Sequence, residues 1–162
     1  MSPELQPFRG SEINEAALAS VISQVARKGN CRGLTVSGGD PFEQPEALLK
    51  LLKLLREEFD DILVYTGFEL AEIQNGLAGR EAEACLDYLD VLIDGRYVDE
   101  LNDPGCVLRG SRNQKIHYFR KELIPVYSDY MKQGRLLESF VHNQDTIITG
   151  ILNKEETQCM KI

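Results

Sequence analysis

Three short and almost wholly apolar runs, residues 33–36, 62–65 and 91–93, interrupt a chain whose intervening segments repeat at helical period. Runs of this length without polar alternation suit strands covered on both faces. Alternation of such strands with helices implies a parallel sheet joined by crossovers. Before the first run, Ile13, Ala17, Val21, Ile22 and Val25 recur at helical spacing, with Ser11 as the expected cap and Gly29-Asn30 as the stop. Between the first and second, Pro45 opens a helix expected to bury Leu48, Leu51, Leu52, Leu55 and Phe59. Shorter helices are expected over 68–74 and 80–89. All three runs end in polar or glycine residues: Ser37-Gly38-Gly39-Asp40, Thr66-Gly67 and Asp94-Gly95-Arg96. In a parallel sheet those ends share one edge, where α/β folds bind small ligands.

The first of these ends is the most specific. Two adjacent glycines admit positive φ and let a ligand approach the backbone, and Asp40 adds a carboxylate suited to an amine or hydroxyl. For Ser37-Gly38-Gly39-Asp40 alone, a plain strand-to-helix corner is the better reading. Arg96, Arg109 and Arg112 suit a carboxylate or phosphate, although an acidic chain also makes surface salt bridges readily, and Arg112 is read as one of these. Asn113 and Gln114 suit ribose hydroxyls or amides. Together these groups fit a zwitterionic amino acid carrying a nucleoside. Asp94 reads either as a cation or arginine partner or as a strand-end cap. His117 and His142 have no catalytic partner at recognisable spacing, so both read as ordinary core or surface histidines.

Beyond Tyr97 the pattern weakens into an acidic loop and the donor-rich stretch Arg109-Gly110-Ser111-Arg112-Asn113-Gln114. Segments 136–142 and 146–151 flank Asn143-Gln144-Asp145 and predict a C-terminal β-hairpin. With no linker or repeat, the 162 residues are expected to form one domain, a core over about 11–117 and an extension over 118–162. A formal charge of -8 argues against nucleic acid and anionic membranes as partners. No run approaches membrane-spanning length and the first residues lack signal-peptide character, so cytoplasm is the expected location. Cys31, Cys85, Cys106 and Cys159 match no metal-site spacing and read as ordinary thiols.

Four motifs in order, Ser37-Gly38-Gly39-Asp40-Pro41, Val64-Tyr65-Thr66-Gly67-Phe68, Asp90-Val91-Leu92-Ile93-Asp94-Gly95-Arg96-Tyr97 and Arg109-Gly110-Ser111-Arg112-Asn113-Gln114, give the chain a resemblance to a known family. It resembles the activating proteins of anaerobic ribonucleoside-triphosphate reductase, which are small radical S-adenosylmethionine enzymes. The resemblance covers roughly residues 11–117. It implies an α/β fold, an abbreviated open (βα) partial barrel with a mainly parallel sheet. It also implies a [4Fe-4S] cluster that reductively cleaves S-adenosyl-L-methionine, an electron donor, and as partner a glycyl radical enzyme, the reductase catalytic subunit. Carried over, Gly38, Gly39 and Asp40 hold the methionine amine, Thr66 and Gly67 line the pocket, and Asp94, Arg96, Arg109 and Ser111 complete its polar wall.

The sequence departs from the family in one respect. The family's Cys-x3-Cys-x2-Cys cluster motif is not present, and clusters need thiolates. Met1-Ser2-Pro3-Glu4-Leu5 resembles the segment that follows the third cysteine, so the chain is expected to start just after the motif and to lack the first barrel strand. As given, it is expected neither to hold the cluster nor to cleave S-adenosylmethionine. Two other readings stay open. One is a non-catalytic nucleoside- or partner-binding module on the same scaffold. The other is a phosphate-binding α/β protein using Gly38-Gly39 as an anion nest, although the lysine and hydroxyl of a P-loop are not there.

Overall fold

The structure is a computed structural model that describes residues 12–135 and the strand backbone of 138–142 and 145–149. It divides into two compact units, one running to Arg96 and including Ile116–Lys121, the other containing Tyr97–Lys115 and the chain from Glu122.

The first unit is built on an open sheet of four strands in sequence order: β1 (Gly33–Val36), β2 (Asp61–Tyr65), β3 (Val91–Asp94) and β4 (Lys115–Tyr118). β1 pairs parallel with β2, Gly33 opposite Asp61, and β2 parallel with β3, Leu63 opposite Val91. The three apolar runs are thus the parallel strands expected of them. β3 is buried along its whole length, as a central strand with two covered faces must be. β4 was not legible in advance, because Lys115-Ile116-His117-Tyr118 is short and half polar. The Phe119 and Arg120 amides donate to the Asp90 carbonyl, which sets the end of β4 beside the start of β3.

Helix α1 (Glu15–Gly29) starts from Asn14, whose side chain accepts from the Ala16 and Ala17 amides; Ser11 lies outside the described residues. It stops at Asn30 in the left-handed conformation (φ 51°), with Arg27 and Lys28 set favourably in the last turn. Of the apolar positions at helical spacing, Ile22 packs partly buried against the core. Ala19, Ser23 and Ala26 are buried, while Ile13, Val21 and Val25 are exposed. A face of small residues lets a helix lie close against its neighbour, and the Ser23 hydroxyl is satisfied by donating to the Ala19 carbonyl. Helix α2 (Pro45–Leu55) buries Leu48, Leu52 and Leu55 as the period requires, and a 3-10 turn, Arg56–Glu58, carries the chain toward Phe59. The short helices α3 (Leu70–Gln74) and α4 (Ala82–Cys85) close the core with Ile73, Ala82 and Cys85.

The amino edge of the sheet is held by Asp90. Its amide donates to the Ile62 carbonyl, and its carboxylate accepts from the Ile62 amide at 2.7 Å and from Arg56 at 2.9 Å. Arg56 also donates to the Tyr88 and Phe59 carbonyls, and Arg120 stands 3.5 Å from the second carboxylate oxygen.

In the second unit, Arg135 follows helix α5 (Ile124–Met131) and donates to Asn102 Oδ1 and to the carbonyls of Cys106, Arg109 and Gly110. A Cβ on Gly110 would stand 2.7 Å from the Tyr97 ring, so only glycine fits there. The hairpin forms as expected: β5 (Glu138–His142) pairs antiparallel with β6 (Asp145–Thr149). Among the described residues no helix is long and apolar enough to cross a membrane.

Two predictions follow from the packing. Asp90→Ala leaves a buried amide and a guanidinium without their acceptor and is expected to cost about 3 kcal/mol. Urea unfolding should show this as a lower midpoint at unchanged slope. Cys85 is fully buried, with its thiol against the Pro45 and Glu81 carbonyls, and burial, assisted by the charge of Glu81, pushes its pKa up to about 11. At pH 8 iodoacetamide should therefore label exposed Cys31 in the native chain and reach Cys85 only after unfolding.

Candidate functional site

The carboxyl ends of β1, β2 and β3 lie along one edge of the first unit. The chain leaves β1 through Ser37, Gly38 and Gly39, all exposed. Gly38 has φ +123°, which side-chain-bearing residues rarely adopt, and a Cβ added at Gly38 or Gly39 would meet nothing within 4 Å. The peptide groups of this pair are therefore open to a ligand.

Asp40 follows, and its carboxylate is the centre of the edge. Oδ1 accepts from the Phe42 amide at 3.0 Å, capping the 3-10 turn Pro41–Glu43 that drives Phe42 into the core. The same oxygen accepts from the Thr66 hydroxyl at 2.9 Å, and Oδ2 from the Gly67 amide at 2.6 Å. Thr66 Oγ1 in turn accepts from the Phe68 amide. Asp40 thus ties the end of β1 to the end of β2. Three of the roughly four acceptor positions of a carboxylate are used, so its remaining capacity for a ligand amine is about one hydrogen bond. Gly67 sits close to its neighbours: a Cβ there would lie 3.2 Å from Asp40 Oδ2, a tight contact that the carboxylate would have to relieve, and 3.6 Å from Arg96 Cγ. Arg96 is exposed and passes over this glycine.

The end of β3 is joined to the same loop. The Gly95 amide donates to the Phe68 carbonyl at 3.0 Å, and the Leu70 amide to Asp94 Oδ2 at 2.7 Å. Asp94 is only 2% exposed, and His117 Nε2 lies 2.8 Å from the same oxygen. Sequence reasoning missed this histidine. The available signal was an acid ending one strand and a histidine in a short alternating segment that could form the next.

Of the residues expected at the site, Asp40, Thr66 and Gly67 are in direct contact, Arg96 flanks them, and Asp94 faces inward rather than toward solvent. Arg109 and Ser111 belong to the second unit. There Ser111 is fully buried and its hydroxyl accepts from the Val98 amide, while Arg109 donates to the Gln114 carbonyl. Gln114 Oε1 accepts from the Gly110 and Ser111 amides, which closes this loop upon itself. Arg112 stands 3.7 Å from Asp103 with both side chains largely exposed, a surface pair as expected. A separate cleft of about 280 Å³, lined by Arg27, Asn30, Cys31, Arg32 and Glu58 among others, lies at the amino end of β1 and shares no residue with the Asp40 edge.

Among the described residues the thiols have separate surroundings. Cys31 is exposed before β1, Cys85 is buried in α4, Cys106 is buried in the second unit, and Cys159 lies outside the described residues. Among the described residues no three His, Cys, Asp or Glu side chains are grouped to hold a metal.

Residues 1–117 match the model of a 4Fe-4S single cluster domain family. The anaerobic ribonucleoside-triphosphate reductase-activating protein of Haemophilus influenzae is 43% identical over 93 residues, 55% of this chain and 57% of that protein. Its counterpart in Vibrio cholerae is 42% identical over 92 residues, 54% of this chain and 56% of that protein. The Salmonella typhimurium counterpart is 34% identical over 119 residues, 71% of each chain. The chain spans a little over half the length of the first two relatives. No solved structure matches it at a significant level. The chain belongs to the family of anaerobic ribonucleoside-triphosphate reductase-activating proteins.

Proposed function

We propose that this chain carries the S-adenosylmethionine-binding edge of an activating protein for anaerobic ribonucleotide reductase, on an abbreviated radical S-adenosylmethionine-type partial barrel. The observation that carries the reading is the open glycine pair beside a carboxylate that joins two strand ends. The carbonyls of Gly38 and Gly39 accept from the methionine ammonium, and Asp40 gives it a nearby negative charge. Arg96 attracts the methionine carboxylate, and Thr66 and Gly67 form the wall against which the ligand lies. Asp94 acts from behind that wall, as a support of the loop that follows Gly67. When bound, S-adenosylmethionine supplies a 5′-deoxyadenosyl group for hydrogen abstraction from a glycine of the reductase subunit. The electron for that chemistry comes from a separate donor, and no step is assigned to a cluster whose thiolates this chain does not group.

The scattered thiols favour a second reading, a nucleoside- or partner-binding module without catalysis of its own. Both readings share the ligand edge and differ in the metal.

Two measurements test them. Anaerobic reconstitution of the 162-residue chain with iron and sulfide is expected to give no stoichiometric [4Fe-4S] absorbance; a stoichiometric spectrum would overturn the assignment of its thiols. Extending the chain upstream with a Cys-x3-Cys-x2-Cys segment should allow uptake, and failure to do so favours the binding module. Calorimetry should detect S-adenosylmethionine binding to the wild-type chain. A hydrogen bond to a charged group contributes about 1.5–3 kcal/mol, so Asp40→Ala should weaken binding by about ten- to a hundredfold. Equal affinities for the two proteins would remove Gly38-Gly39-Asp40 as the amine site.

A further inference from the structure

Segment 66–70, which contributes Thr66 and Gly67 to the ligand edge, is held at three places. Asp40 takes Thr66 and Gly67, Gly95 takes the Phe68 carbonyl, and Asp94 takes the Leu70 amide where α3 begins. The third hold differs from the others because its acceptor is itself a buried charge. Asp94 is almost wholly inaccessible to water, and a carboxylate in that position needs a donor or cation beside it. His117 Nε2 is 2.8 Å from the oxygen that accepts from Leu70, and its side chain reaches there from β4. That nitrogen is buried and makes no in-line hydrogen bond, so its contact with Asp94 is one of close approach. The ring thus bears on the oxygen that fixes Leu70.

We propose that His117 is a positioning residue for the ligand edge. Through Asp94 it sets where Leu70 begins α3, and so how tightly Thr66 and Gly67 are presented to the Asp40 side of the site. The ring at this distance keeps the carboxylate turned toward the Leu70 amide. An apolar side chain at 117 leaves that carboxylate without its neighbour, and it turns away to find water. The inference rests on the reading of this edge as the S-adenosylmethionine site, and one of its two readouts does not depend on that reading.

The test compares His117→Met with His117→Gln, whose terminal amide carries a donor to about the position of Nε2. Amide hydrogen exchange and calorimetry with S-adenosylmethionine are measured on both full-length variants. His117→Met is expected to speed exchange at Leu70 and Gly67 by about tenfold relative to core amides such as Val64. It should weaken S-adenosylmethionine binding about fivefold, the worth of one ordinary hydrogen bond. His117→Gln should restore both to within about twofold of the wild type. Unchanged exchange at Leu70 in His117→Met overturns the proposal, as does equal behaviour of the two variants. Wild-type protein that binds no S-adenosylmethionine overturns the ligand reading, while the exchange comparison still decides the role of His117. If His117→Met does not fold, His117→Asn takes its place. Its shorter amide stops near the Nδ1 position, so it should loosen Leu70 where glutamine does not.

Discussion

The fold depends on how its buried parallel strands end. A parallel ladder leaves peptide groups unpaired at each edge of the sheet, and a covered edge has no water to take them. In this chain aspartate side chains supply the missing acceptors. Asp40 takes the Phe42 and Gly67 amides, Asp90 takes that of Ile62, and Asp94 takes that of Leu70. Each spans residues far apart in sequence, so each also fixes the spacing of two elements. Asp90 at the amino edge carries a guanidinium with it. The two at the carboxyl edge hold glycine-containing loops, whose backbone freedom they remove at little steric cost.

The strands and most helices were legible because their signals are strong and local. Three or four mostly apolar residues between breakers specify a buried strand, and Pro45 with leucines at helical spacing specifies α2. The hairpin was legible from two apolar segments around a polar turn. What failed depended on neighbours. In α1 the period was legible and the packed face was not, because Val21 and Val25 outweigh Ala19 and Ala26 in any count of hydrophobicity. Close packing selected the small residues instead. β4 has too few apolar residues to stand out, and its place is set by pairing with a strand more than twenty residues earlier.

The site was legible in its composition and less so in its wiring. Placing Asp40, Thr66 and Gly67 together followed from the shared edge of a parallel sheet. That Asp40 spends most of its acceptors on the protein itself did not follow, because a carboxylate reads the same whether it meets a ligand or a backbone amide. Ser111 shows the same ambiguity, since a serine in a donor-rich loop gives no sign that its hydroxyl is wholly buried. His117 was read as unconnected because its partner Asp94 lies on another strand.

The internal wiring of the carboxyl edge is supplied by residues of the first unit. The geometry of Thr66-Gly67 and of the residues that follow is set by Asp40, Gly95 and Asp94. Electron delivery, by contrast, needs thiolates grouped within a few ångströms of one another. Cys31 and Cys85 are committed to unrelated surroundings, one at the surface and one donating to two core carbonyls. Moving Cys85 into a ligand set would empty a fully packed position in the core. The residues that wire the carboxyl edge and the described thiols Cys31 and Cys85 therefore occupy separate parts of the sequence.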